Sequence, residues 1–318
     1  MKATVPAKVI LTGEHSVVYG KKALGAAVDL KTHLTLTIKA SETPGIVVEF
    51  QTETSYLSWE QAYQSLEEVS VVSVLSFLSL EVFPDCFDKL FEFKIDSELP
   101  VRSGLGSSAA LCVAASGLLL RTKNSHASLQ EINELAIKGE NKVHGRASGI
   151  DNTVILNGGV LCFQAGSFES LEVVNPESVK VLLVNSRVPR AAMGMISGVR
   201  MLNEEYPQVV TKIFEGIDSV TSQCKNSIQA GNYEKVKQMM HMNQGLLYSL
   251  GVSTSVLNDI CNIGFKHGLL GKMTGAGGGG FCVFLVTNED TFGAVAEWTA
   301  KGYEVIETKF TNQGLAMS

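Results

Sequence analysis

The chain has 318 residues, of which 45% are hydrophobic and 18% charged, with 30 glycines, only 7 prolines and a formal net charge of −6. A chain near 300 residues buries about three quarters of its unfolded surface and carries a prior of two domains, so its core needs no staples, and the composition excludes collagen-like, proline-rich and disordered classes. With 26 basic against 32 acidic residues the broad basic face of a duplex-binding protein is excluded, and an anionic ligand requires a local pocket.

Taken in chain order, residues 4–11 and the alternating 33–39 read as strands, 59–80 as one helix and 91–95 as a strand. Residues 107–121, SSAALCVAASGLLLR, are rich in alanine and leucine and predict a buried helix. Ser128 and Glu131 form a capping box that opens the next helix, which Gly145 closes. A short helix then runs through Gly158-Gly159 into a strand. After the polar stretch FESLEVVNPES, a strand at 179–185 begins a second half with helices at 191–205, 208–229 and 233–250. A glycine loop, TGAGGGG, feeds a strand, and a helix near 291–301 and a last strand follow. These elements predict two mixed α+β domains, residues 1–175 and 176–318.

The six cysteines, Cys86, Cys112, Cys162, Cys224, Cys261 and Cys282, show no C-x-x-C pair and read as buried reduced thiols of a cytoplasmic protein. The first twenty residues lack the apolar core of a secretory signal, and the most apolar stretches, 69–83 and 109–120, are shorter than the ~18 uninterrupted apolar residues of a membrane span. Neither a nucleic acid nor a membrane is an expected partner.

Four features point to chemistry. The loop Arg102-Ser103-Gly104-Leu105-Gly106-Ser107-Ser108 lies between a strand and a helix, where glycines admit a ligand to the backbone and the helix N-terminus favours an anion. Ser107 and Ser108 either cap that helix or, for Ser108, reach a magnesium ion held by a nucleotide. The second loop, Lys272 to Gly280, contains G-x-G-x-x-G but precedes a strand instead of a helix, which disfavours a dinucleotide site and leaves a hairpin loop or a backbone wall against a substrate. Near the start, Lys8 on a strand implies an anionic partner if it points inward. Finally, Glu140 and His144 share a helix face, and Asp151 follows two glycine breaks. Asp151 either caps its own short helix with Ser148 or serves as a base, and two carboxylates, one for a metal and one for a proton, suit phosphoryl transfer to an alcohol.

In this order the four features resemble the kinase superfamily of galactokinase, homoserine kinase, mevalonate kinase and phosphomevalonate kinase, across nearly the whole chain. G-E-H-x-V-V-Y-G at 13–20, S-E-L-P-x-x-x-G-L-G-S-S-A at 97–109, H-G-x-x-S-G-x-D-N at 144–152, N-Q-G-L-L-x-x-L-G-V-S at 243–253 and K-M-T-G-A-G-G-G-G at 272–280 look most like its mevalonate kinase branch. The resemblance implies an N-terminal lobe with a left-handed βαβ unit and a C-terminal ferredoxin-like lobe. It further implies ATP as co-substrate, Mg2+ as cofactor, mevalonate as substrate, a homodimer, and feedback inhibition by prenyl diphosphates. By the same resemblance Asp151 is the base and Lys8 stabilises the transferring phosphoryl. Ser108 and Glu140 hold the metal, residues 102–108 wrap the phosphates, Ser97 contacts the nucleotide, and Glu14, His15 and Gly277 meet the substrate.

The chain departs from the family pattern at Ala192 and Met193, where relatives carry a threonine and a basic residue near the substrate, and it lacks an insertion between Trp59 and Pro100. Competing readings are another kinase of the superfamily, a nucleotide sensor without catalysis, and a serine hydrolase using Ser108, Asp151 and His241. The sensor is disfavoured because Lys8, Ser108, Glu140 and Asp151 are all present. The hydrolase lacks the last glycine of a nucleophile elbow.

Overall fold

The computed structural model describes residues 1–100, 104–145, 148–189 and 192–318. The chain opens with β1 (Lys2–Thr12), then β2 (Ala23–Ala40), β3 (Gly45–Phe50) and β4 (Glu53–Ser58). Helices α1 (Trp59–Gln64) and α2 (Val71–Val82) lead to β5 (Lys89–Ser97), and α3 (Ser107–Lys123), α4 (Leu129–His144) and α5 (Ile150–Asn157) follow. Strands β6 (Val160–Gln164) and β7 (Ser167–Leu171) complete the first half. The second half comprises β8 (Lys180–Asn185), α6 (Ala192–Glu205), α7 (Pro207–Gln229), α8 (Tyr233–Ser249), α9 (Ser255–Lys266), β9 (Gly271–Met273), β10 (Phe281–Val286), α10 (Phe292–Ala300), β11 (Glu304–Lys309) and β12 (Ala316–Met317).

The predicted helix at 59–80 is two helices. Ser58 and Gln61 form a capping box for α1, and Ser70 accepts from the Ser73 backbone N–H to start α2. Apolar periodicity does not register such a second N-cap, which supplies a new start where a continuous helix was expected. Six further elements depart from the sequence reading: β3 and β4 precede α1, β7 forms at the start of the polar stretch after β6, α9 follows α8, β9 precedes the glycine loop, and β12 follows β11.

Two sheets result. The first runs β12-β1-β2-β5-β3-β4, with β6 on β2 and β7 on β6, and only β3 and β5 pair in parallel. The second runs β11-β8-β10-β9 and is antiparallel throughout. Numbering its strands by chain order gives 4-1-3-2 in a β-α-β-β-α-β sequence, the ferredoxin-like arrangement expected for the C-terminal half.

Helix α3 is buried along most of its length because its alanines and leucines are apolar on all sides, and it packs into one core with α2, α4 and the first sheet. A second core spans both sheets: Ala7, Val9 and Leu11 of β1 meet Val181 and Leu183 of β8, Phe281 and Val283 of β10, and Val236 and Met240 of α8. Alternation on β1 therefore sends these residues into the junction and leaves Lys8 and Ile10 for the opposite face. All six cysteines are buried and free, as expected. No helix among the described residues is long and apolar enough to cross a membrane.

Candidate active site

Lys8 is only 2% exposed, and its Nζ lies 2.8 Å from Asp151 Oδ1. Helix α5 brings Asp151 there by burying Ile150 and Val154, one turn apart, against Ile10, Ala23 and Ala27. Gly25 on β2 makes the seat, since a Cβ there would lie 2.6 Å from Val154 Cγ2. The N-cap of α5 is Gly149, in the left-handed region at φ 82°, with no side-chain cap. The capping box between Ser148 and Asp151 does not form, and Asp151 faces the lysine instead.

The loop before α3 closes on the same lysine. The Lys8 backbone N–H donates to the Leu105 carbonyl at 2.9 Å, and a Cβ on Gly106 would sit 2.9 Å from Lys8 Cγ. Gly106, at φ 85°, is the N-cap of α3, which leaves Ser107 and Ser108 inside the first turn without a capping role. Ser108 donates to Glu140 on α4, a carboxylate 4% exposed. Thus β1, the start of α3, α4 and α5 converge, joining an ion pair, a helix N-terminus and a hydroxyl–carboxylate pair. Ser97, at the end of β5, is bonded to Thr32 Oγ1 at 2.7 Å and accepts from the Leu99 N–H at 3.2 Å. Gly104 belongs to the bend before α3, whereas Arg102 and Ser103 lie outside the described residues.

The glycine loop is shaped by carbonyl groups. The Gly278 N–H donates to the Val252 carbonyl at 3.0 Å and the Gly280 N–H to the Val188 carbonyl at 3.2 Å. A Cβ on Gly277 would lie 2.2 Å from the Val252 oxygen, and one on Gly279 2.6 Å from the Val188 oxygen. These glycines admit neighbouring backbone, so the Gly278 and Gly280 N–H groups serve the fold of the loop. His15, itself at φ 62°, donates from Nε2 to the Ala276 carbonyl at 3.0 Å, which ties the turn after β1 to this loop and fixes the proton on Nε2.

Glu14, expected to meet the substrate, is 4% exposed. Its carboxylate pairs with Lys272, which is fully buried, and accepts from Asn243 Nδ2 at 2.9 Å. Thr274 fastens the same junction: its Oγ1 accepts from the Ile10 N–H at 2.8 Å and donates to the Ile10 carbonyl at 3.3 Å. Lys272 and Asn243 stand in motifs that the sequence reading quoted without giving either residue a role. The available signal was a lysine next to Met273 at the mouth of a glycine loop, a place where burial demands an anion.

Ser108 and Glu140 present hard oxygen donors of the kind magnesium takes, alongside a helix N-terminus suited to phosphate. Among the described residues no three acidic, histidine or cysteine side chains cluster to hold a metal unaided.

A mixed α+β chain that gathers an ion pair, a helix N-terminus and a hydroxyl–carboxylate pair in one place suits a small-molecule kinase. The GHMP kinases N terminal domain model matches residues 71–159, and the GHMP kinases C terminal model matches residues 225–304. Mevalonate kinase of Thermococcus sibiricus is 35% identical over 329 residues, covering 98% of this chain and 97% of its own length. Mevalonate kinase of Arabidopsis thaliana is 32% identical over 93% of each chain. The crystal structure of L. major mevalonate kinase in complex with R-mevalonate has the same fold, with a TM-score of 0.83 at 24% identity, covering 99% of this chain and 97% of that one. The chain belongs to the mevalonate kinase family of the GHMP kinases.

Proposed function

We infer that this protein transfers the γ-phosphoryl group of ATP to the primary hydroxyl of mevalonate, giving 5-phosphomevalonate and ADP. The observation that carries this reading is the Lys8–Asp151 pair, held beside the N-terminus of α3 and the Ser108–Glu140 contact. Asp151 is the general base: a carboxylate 34% exposed in its side chain and oriented by a buried cation is placed to accept the hydroxyl proton as the oxygen attacks. Lys8 steadies that carboxylate and offsets charge on the transferring phosphoryl. The loop 102–108 and the first turn of α3 receive the nucleotide phosphates, with Ser97 at the nucleotide end. Ser108 and Glu140 would hold Mg2+, which when bound neutralises charge on the phosphate oxygens.

His15 and the glycine loop around Gly277 line the acceptor side. Glu14, engaged with Lys272 and Asn243, supports the His15 turn from behind. The test is ADP release with mevalonate, phosphomevalonate, galactose and homoserine as acceptors. Turnover with mevalonate in preference to the others is expected, and an absence of mevalonate-dependent ADP would overturn the reading.

A further inference from the structure

Cys112 takes part in none of the steps above, yet its sulfur lies 3.8 Å from Glu140 Oε1, the oxygen that also accepts from Ser108. Cys112 follows Ser108 by four residues on α3, so both side chains leave the same helix face and reach the same carboxylate oxygen. The thiol is fully buried and is not in a disulfide. An ionised carboxylate only accepts, so the thiol is the donor.

The facing helix is built to admit the sulfur. Gly139, directly before Glu140, lacks the Cβ that would lie 2.9 Å from Cys112 Sγ and 3.2 Å from Leu78 Cδ2. A glycine inside a helix is destabilising relative to alanine, and this one creates the space in which α4 meets a side chain of α3. Two donors on one oxygen restrict rotation of the Glu140 carboxyl group more than one does. In metal sites such outer partners set ligand orientation and thereby affinity.

We propose that Cys112 is a positioning residue for the magnesium ligand Glu140, acting through its thiol hydrogen bond and not through redox chemistry. The proposal rests on the assignment of Ser108 and Glu140 to the metal. The experiment titrates MgCl2 into the full chain with a fluorescent ADP analogue and reads bound nucleotide, with thermal melting of the ligand-free chain in parallel. Cys112→Ala should raise the magnesium midpoint up to about tenfold, the lower end of outer-partner effects, while nucleotide affinity without magnesium stays unchanged. Cys112→Ser, which restores a donor, should keep the wild-type midpoint. A lower melting temperature with an unmoved midpoint in Cys112→Ala would overturn the proposal, because it would reduce Cys112 to packing. Failure of the assignment beneath it looks different: the wild-type chain would then bind nucleotide independently of magnesium.

Discussion

At the scale of single residues, the molecule treats its two buried lysines near the cleft differently. Lys8 pairs with an aspartate that remains partly open to solvent, whereas Lys272 is sealed with Glu14 and Asn243. Replacing Asp151 with Asn should lower kcat by roughly 10² to 10⁴, as for loss of a general base, while nucleotide binding persists. Steady-state kinetics alongside nucleotide titration check both halves of that outcome. Replacing Lys272 with Met strands a buried carboxylate and should cost about 3–5 kcal/mol in urea unfolding, whereas combining it with Glu14→Met should recover much of the loss. Lys8 and Asp151 were legible in sequence because each stands in a short local pattern. The pairing of Glu14 with Lys272 was not, because the partners are separated by most of the chain and no local rule links them.

Secondary-structure elements show the same division between local and distant causes. The cap of α4 was readable because Ser128 and Glu131 satisfy each other within one turn. Strands β3 and β4 were not, since β4 lies at a sheet edge with four exposed residues and little apolar alternation. How one element docks on another is set by contacts that only the fold creates. Lys237 of α8 is buried and reaches Glu234, Thr287 and Glu289, fastening α8 to the connection between β10 and α10. Burial opposes ionisation of Glu289, but hydrogen bonds from Lys237 and backbone N–H groups, with the lysine charge, outweigh it and lower its pKa to about 2. A carboxylate depressed from its ordinary 4.5 stabilises the fold above that pH and loses the contribution as pH falls toward 2. Glu289→Gln should therefore lower stability at neutral pH and flatten the loss of stability between pH 4.5 and 2, measured by denaturant unfolding across that range.

For the whole molecule, the feature that matters most is that the junction is continuous with the interior. Apolar residues of both sheets share one core, and His15, Thr274 and Lys272 tie the turn after β1 and β1 itself to the far side of the cleft. The ferredoxin-like half was expected from the family resemblance, while its element succession was read without α9 and the three-residue β9, and its attachment to the first sheet was not legible. That attachment depends on which face of β1 each alternating residue occupies, and a single strand read alone does not say which face is covered by what. The junction between the sheets is consequently a seam within a common interior.

The sealed ion pair adds a constraint on assembly. Separated at residue 175, one fragment would carry Glu14 and the other Lys272, and each would have to submerge a charge with no counterpart or leave the seam unformed. Neither fragment alone should give a cooperative unfolding transition by circular dichroism, and producing the two together should restore one. Each half thereby acts as a template for the other, and a protein stalled with only one half folded would present an open, hydrated seam in place of a working cleft.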